Sequence, residues 1–479
     1  MKKRAEDIRI EMWDTKLPDF QVRSVPDKWK NESAVIIAQT FKNVYFKEPL
    51  IAILSENSYV HKRILLQDKS AVEEYSEFKI PNDRMSVQYY AGFKVIKPNG
   101  QEKIIDLATL VKMQQKINNQ NENYNKLAIP DLSPGDIIDF YLGEEKSINI
   151  PGELYYEFNT AIYVLAEKYP ILKQRFHFDV LRRCYINFKS MNGAPDLQSA
   201  NENETETKHF SLVDENRDKI ESSHWFYPYR SVPTIKFKVT FSKTNIIPFQ
   251  GTAGVVKREV TKPEIEKFMT DFSSSFSSYL SGDIKSYLKK YHKNEKDPEK
   301  LVKLIHYYYR NRYFAAEAEQ DFVYQTDASR RRYFPLIVAD VLKSKSIPYD
   351  LCLATPRYLS TLEDIIMSNE TAFFLRVNNP TPFFVFENSI HSDFQEIDSD
   401  YQGVKSYFLT SDELNSHRTR QLKTLTVPVT NAADSRTEKR IEVLLDKNDF
   451  SAVKIKEHSV IKGAGKSYYQ SQLLSPYDF

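Results

Sequence analysis

The residue pattern predicts an α+β, multidomain protein: an N-terminal antiparallel β-sandwich, a helical linker, an α+β module and the start of a C-terminal β-domain. Three observations predict it. Apolar and polar residues alternate in short runs across residues 28–250; the apolar spacing becomes three to four from residue 261; a period of two returns near residue 426. A chain of 479 residues suits roughly three domains. The expected divisions are an extension at 1–27, the sandwich at 28–250, the linker at 251–300, the module at 301–425 and a C-terminal piece at 426–479 that holds too few strands for a full domain.

In the first half, residues 35–46 are β-branched and aromatic. At residues 87–95 the odd positions Val87, Tyr89, Ala91, Phe93 and Val95 share one face, as in a half-buried strand. Lys97-Pro98-Asn99-Gly100 follows, where Asn-Gly suits a two-residue hairpin turn with positive φ at both positions. Alternation recurs at Phe176, Phe178 and Val180, and at Ile235, Phe237, Val239 and Phe241. Residues 199–208 are polar and read as a surface loop.

Thr261-Lys262-Pro263-Glu264 is a capping box with Pro in the first turn. Ile265, Phe268, Phe272, Phe276, Tyr279 and Leu280 continue it as one apolar stripe. Two further helices are expected at about 298–312 and 334–344, then strands at 349–354, 372–377 and 383–386. In the last segment Ile441, Val443 and Leu445 alternate, a turn follows at 446–449, and Val453 and Ile455 alternate again.

Thirty Tyr and thirty Phe beside only twelve Gly suit twisted sheets and binding surfaces. A net charge of +2 gives no long-range field that favours nucleic acid, and the basic runs Lys2-Lys3-Arg4 and Arg330-Arg331-Arg332 are too short to change that. Cys184 and Cys352 stand far apart in apolar settings, match no metal spacing and read as buried thiols. No cofactor is expected, since no Gly-rich phosphate loop occurs. No apolar run is long enough for a transmembrane segment, and residues 1–15 lack the apolar core of a signal peptide.

Trp29 with Ser33-Ala34-Val35, His61-Lys62-Arg63-Ile64, residues 96–100 followed by Asp106, and above all Ala128-Ile129-Pro130-Asp131-Leu132-Ser133-Pro134-Gly135-Asp136-Ile137-Ile138-Asp139-Phe140 carry a resemblance. The first ~220 residues resemble the domain of unknown function that precedes transglutaminase-like domains in bacterial envelope proteins, particularly of the Bacteroidota. Residues 300–400 resemble the transglutaminase-like, papain-like core itself. The resemblance implies a periplasmic or envelope-associated location. It also implies a Cys nucleophile at a helix start, a His on a neighbouring strand and an orienting Asp.

Carried over through Ser346-Ile347-Pro348, those three positions fall at Arg331, Thr371 and Glu387. No Cys, Ser or Thr lies between Arg330 and Pro335, no His between His306 and His391, and no Gly from Ile284 to Gln402. The expectation is therefore a pseudoenzyme, a non-catalytic binding or scaffold protein with a protein partner in the envelope. Arg330, Arg331, Arg332 and Tyr333, expected at a helix N-terminus, are candidates to bind an acidic peptide or carboxylate in the old groove, against the plainer reading of a solvated basic turn.

The alternative from the enzyme class is a cysteine peptidase or amide-transfer enzyme with a displaced nucleophile, using a Cys352–His391 dyad. A third reading is a carbohydrate-binding protein that uses exposed aromatics. His391 with Asp393 supplies only two metal ligands, so no metal site is expected. His61 and His306 read as packed or hydrogen-bonded side chains.

Overall fold

The computed structural model describes residues 2–13, 17–48, 51–82, 86–117, 120–150, 152, 155–200, 206–221, 226–243, 248–275, 279–313, 327–387, 391–415, 420–445 and 452–473. The chain is a mixed α+β protein made mostly of strands, in two units, Met1–Glu259 and Val260–Phe479. The stretch expected as a linker is thus divided: residues 251–259 fall in the first unit and 260–300 in the second.

The first unit is built on an eight-stranded sheet. Its order is β13 (Gln198–Ala200), β14 (Thr207–Arg217), β11 (Ile171–Leu181), β1 (Ala34–Lys47), β2 (Ile53–Leu66), β8 (Ile137–Asn149), β4 (Val87–Ile96) and β5 (Glu102–Ile104). A second sheet orders β10 (Ala161–Val164), β15 (Thr234–Ser242), β12 (Tyr185–Met191) and β16 (Val256–Lys257), with β9 (Tyr155–Glu157) on β15. A third orders β3 (Glu77–Pro81), β7 (Gln120–Ala128) and β6 (Val111–Ile117).

One face of the large sheet has two covers. Near β1, β11 and β14, Tyr45, Phe176, Phe178 and Phe210 pack with Ile186, Phe188, Ile235 and Phe237 of the second sheet. Phe178 stacks on Phe237 with ring centroids 4.0 Å apart. Near β2, β4 and β8, Ile64, Phe93, Val95, Ile138 and Phe140 meet Ile80 of β3, Leu127 of β7 and Ala71 of helix α2 (Lys69–Glu74). The opposite face is covered by the N-terminal segment. Ile8 and Met12 of helix α1 (Lys2–Trp13) pack on Tyr59 and Tyr141, and Phe20 stacks on His61 at 4.1 Å.

Three expectations need correction. The large sheet is not wholly antiparallel, because β1 runs parallel to β11 from Ile36↔Ile171 to Tyr45↔Val180. Alternation reports the face of a strand but not its direction, and a strand that returns after a long excursion can enter either way. The turn after β4 is not a two-residue hairpin. Gly100 N–H donates to Lys97 O at 2.8 Å, and at this turn only Gly100 has positive φ. Pro98 occupies the second position of that turn, where its fixed φ suits type I and excludes the mirror-image form. Finally, the polar stretch at 199–208 is partly strand: its ends belong to β13 and β14, while residues 201–205 lie outside the described residues.

The second unit begins with helices α4 (Lys262–Ser275), α5 (Tyr279–Tyr291), α6 (Pro298–Tyr313) and α7 (Asp327–Ser344), after the short α3 (Pro228–Ser231) of the first unit. The apolar stripe is real where it is described: Ile265 and Phe268 are buried, and Phe272 stacks on Phe373 at 4.6 Å. Phe276 lies outside the described residues, as do the side chains of Tyr279 and Leu280. The helices accompany an antiparallel sheet ordered β19 (Phe383–Val385), β18 (Ala372–Val377), β17 (Tyr349–Ala354), β20 (Lys405–Thr410) and β21 (Lys423–Thr426), with helix α8 (Ser411–Asn415) after β20. A hairpin, β22 (Arg436–Leu445) and β23 (Val453–Lys462), and helix α9 (Lys466–Leu473) follow. Neither strand of that hairpin holds a buried residue.

Candidate functional site

Of the positions carried over from the resemblance, Thr371 and Glu387 have described side chains and only Glu387 lines a described cavity. Thr371 sits just before β18, buried, and its hydroxyl donates to Ser368 O at 2.7 Å. Its neighbour Glu370 caps the same turn, accepting from Ile366 N at 2.6 Å and Met367 N at 3.1 Å. Glu387 follows β19 and lines a cavity. Arg331 lies within α7, and the side chains of Arg330, Arg331 and Arg332 lie outside the described residues.

The helix start expected near residue 334 is displaced: α7 begins at Asp327, so the three arginines are within the helix rather than at its N-terminus. Pro335 is the reason sequence places the start later. It resembles a first-turn proline, yet it lies inside the helix, where it leaves the carbonyl of Arg331 without its i+4 donor. Tyr333 is partly exposed and stacks with Phe272 of α4 at 6.0 Å.

The cavity itself measures about 220 Å³. His306 of α6 and Phe334 of α7 form one side, Phe384, Phe386 and Glu387 a second, and the loop from Ser392 to Ser399 a third. Four carboxylates, Glu387, Asp393, Glu396 and Asp398, stand against one imidazole. Burial lowers the His306 pKa to about 4, so the ring is neutral at physiological pH. Its Nε2 donates to Ser392 O at 3.2 Å, and Arg310 Nη1 reaches the same oxygen at 3.3 Å. Burial raises the Glu396 pKa, while its carboxylate accepts from Asp393 N at 2.9 Å and Ser467 Oγ at 3.3 Å. Asp393 pairs with Lys466 at 2.5 Å. An acid-rich, aromatic-walled cavity disfavours an acidic ligand.

Cys352 is fully buried in the middle of β17, packed with Ala354, Phe374, Phe386 and Phe408. Its thiol contacts Asp350 O at 3.7 Å, and burial pushes its pKa well above the ordinary value. It lines no side of the cavity. His391 is buried in the loop after β19, where its backbone carbonyl accepts from Ser467 Oγ at 3.3 Å. Cys184, in the core of the first unit, is likewise pushed up by burial, to about 12. Among the described residues no group of three or more His, Cys, Asp or Glu is arranged to hold a metal ion.

In the first unit the quoted sequence motifs meet one another. His61 Nε2 and Asp139 Oδ1 are 2.7 Å apart, and Arg63 Nε donates to Asp139 Oδ2 at 2.8 Å. Burial works to raise the Asp139 pKa, but the hydrogen bond from His61 and the nearby charges of His61, Arg63 and Lys94 bring it below the usual value. Lys97 Nζ, from the turn after β4, donates to Asp136 Oδ2 at 2.7 Å and to Asp131 O at 2.6 Å. Trp29 Nε1 donates to Asp218 at 2.8 Å.

No acid stands near His61 along the sequence. The available signal was the spacing of His61 and Arg63, two residues apart on one strand face, which requires a carboxylate on the adjoining strand. The register that pairs Arg63 with Asp139 supplies it. Closed over by Phe20, this buried set is placed for structure rather than for substrate.

Residues 54–213 match the model of a family described as a domain of unknown function with a solved structure, DUF3857. No curated protein matches the chain. Among solved structures, the chain is similar to a "putative protease" of Parabacteroides distasonis, with 11% identity and a TM-score of 0.48, over 88% of this chain and 79% of that one. It is also similar to a "putative nutrient binding protein" of Legionella pneumophila, with 8% identity and a TM-score of 0.22, over 66% of this chain and 94% of that one. At these TM-scores neither likeness fixes an activity. No described helix is long and apolar enough to cross a membrane. What stands is a β-rich α+β chain whose first unit carries a match to DUF3857.

Proposed function

We propose that this protein is a non-catalytic binding or scaffold protein of the bacterial cell envelope, with a transglutaminase-like second unit that has lost its catalytic set. The observation that carries the reading is the state of its thiols. Both cysteines are buried, and burial holds both protonated at neutral pH, whereas nucleophilic work needs an accessible thiolate. The imidazole on the cavity is neutral and engaged with a backbone carbonyl. The carried-over positions hold Arg331, Thr371 and Glu387, none of which replaces a Cys–His pair. The envelope location follows the resemblance of the first half, and the family match over residues 54–213 is consistent with it.

The test is thiol reactivity in the native protein. Iodoacetamide should label neither cysteine at neutral pH and both after denaturation. A fast-reacting thiol at Cys352 in the folded protein would replace this reading with that of a cysteine enzyme. Cross-linking and affinity capture of the tagged protein from its native envelope should then return one or two stoichiometric partners, and a repeatedly empty capture counts against the scaffold role.

A further inference from the structure

The α5–α6 region of the second unit concentrates charge that the whole-chain balance conceals. Residues 283–312 hold nine Lys or Arg against four Asp or Glu, in a chain whose formal net charge is only +2. Between these two helices runs a cleft of about 660 Å³. Tyr287, Leu304, Tyr307 and Tyr308 contribute to its walls, and Lys300 and Lys303 lie along it. Tyr287 stacks on Tyr308 at 4.1 Å, Tyr308 Oη donates to Asp283 at 3.0 Å, and Tyr287 Oη lies 3.1 Å from His292 Nε2, so the aromatic wall is held in place before anything binds.

The cations are not neutralised in the same way. Among the described residues Lys300 and Lys303 make no ion pair, nor do Lys289, Lys293 and Lys296 nearby. The acid on the cleft, Glu295, already accepts the backbone N–H groups of Lys296 and Asp297 at 3.0 and 2.9 Å. Elsewhere the chain pairs its lysines readily, as Lys62 does with Glu167 and Lys103 with Asp131.

We propose that this cleft docks an acidic peptide segment, its carboxylates meeting Lys300 and Lys303 and an apolar side chain resting against the tyrosines. The proposal rests on the binding-protein reading and names the chemistry of the partner. Charge complementarity selects an anion. Shape selects a chain. Lys303 and Leu304 stand three and four residues after Lys300, and Tyr307 four and three after them, all on one side of α6, and the helix from Lys300 to Arg312 runs for about 18 Å. That length suits about five extended residues. A lipid surface is met by a protruding apolar face rather than a recess. A glycan is met by open ring faces, whereas Tyr287 and Tyr308 cover each other.

The experiment uses the full chain and a fluorescein-labelled peptide, Glu-Glu-Phe-Glu-Glu-Leu, read by anisotropy. Binding should weaken by about tenfold or more when glutamine replaces every glutamate in the peptide. It should weaken similarly in the Lys300→Glu/Lys303→Glu protein, and it should decline as salt rises. The Lys300→Gln/Lys303→Gln protein should fall between, which separates charge from any change in folding, with circular dichroism matching the unaltered chain. Absent binding, equal binding by both proteins, or preferential binding to phosphatidylglycerol vesicles or polygalacturonate would each overturn the proposal. If envelope partners are captured equally by the unaltered and the Lys300→Glu/Lys303→Glu protein, the binding role stands and this cleft is not its seat.

Discussion

In the first unit, charges that reach the interior arrive in matched sets. Asp139 takes His61 on one oxygen and Arg63 on the other, Asp136 takes Lys97, and Asp19 takes Arg175 at 2.5 Å and Lys173 at 3.3 Å. In the second unit Asp350 is matched in the same way by Arg376, but like charges also gather. Four carboxylates share the cavity beside a neutral His306, and Lys300 and Lys303 line the α5–α6 cleft. Matched buried charges hold strands in register, because any slip leaves an ion desolvated and alone. Like charges on a concave surface leave room for a counter-charge from outside the chain.

The comparison breaks most readily at Asp139. Asp139→Ala should cost about 3–5 kcal/mol, since it strands two buried bases, measured by urea denaturation followed with probes in the first unit. A loss below about 1 kcal/mol would show that the set does not anchor the sheet. The acid dependence has a defined sign. Because the folded pKa of Asp139 is depressed, its contribution is complete above the ordinary carboxylate value of about 3.9 and is lost as pH falls through the depressed one.

A smaller effect is expected in the second core. Cys352→Ser should cost about 1–3 kcal/mol, because a hydroxyl demands a stronger hydrogen bond than the 3.7 Å thiol contact supplies. An unchanged unfolding midpoint would mean that the site is wetter than its burial implies.

Glu396→Gln sharpens the contrast from the opposite side. A carboxylate whose folded pKa is raised destabilises as pH climbs from its ordinary value of about 4.3 through the raised one. The glutamine variant should therefore gain stability at pH 7, by less than about 1 kcal/mol, and none in acid below that range, as read by paired thermal melts. A loss at pH 7 would mean that the ionised carboxylate supports the loop more than burial opposes it.

The smallest change is expected on the β22–β23 hairpin, where Ile441, Val443, Val453 and Ile455 are exposed on one face. Ile455→Lys should move stability by no more than about 0.5 kcal/mol while reducing self-association in light scattering. A large loss of stability would reveal that this face is covered in solution.

Much of the fold was legible in local pattern. Burial in β11 follows its alternation, and Ile337, Val338, Val341 and Leu342 of α7 are buried as their spacing predicts, whereas β4 from Gly92 to Ile96 and nearly all of β15 are buried on both faces, not half-buried as alternation implied. The candidate site was less so. Arg331, Thr371 and Glu387 were reached by analogy along the chain, and only Glu387 lines the described cavity. The acids around it come mostly from a loop with no periodicity to read. Nothing in the sequence singles out the lysines of the α5–α6 cleft, since their pairing cannot be judged before the neighbouring acids are located.

By itself the sequence determined which residues of a strand such as β11 share the inward face, because that depends on residues two apart. It also determined where the helices of the second half begin to replace strands. Tertiary structure alone decided that β1 and β11 run parallel, that His61 meets an acid 78 residues away, and that acids gather at one concavity and lysines at another. Those outcomes depend on which distant segments become neighbours, and the free energy that selects neighbours is summed over whole faces, not written at any one position.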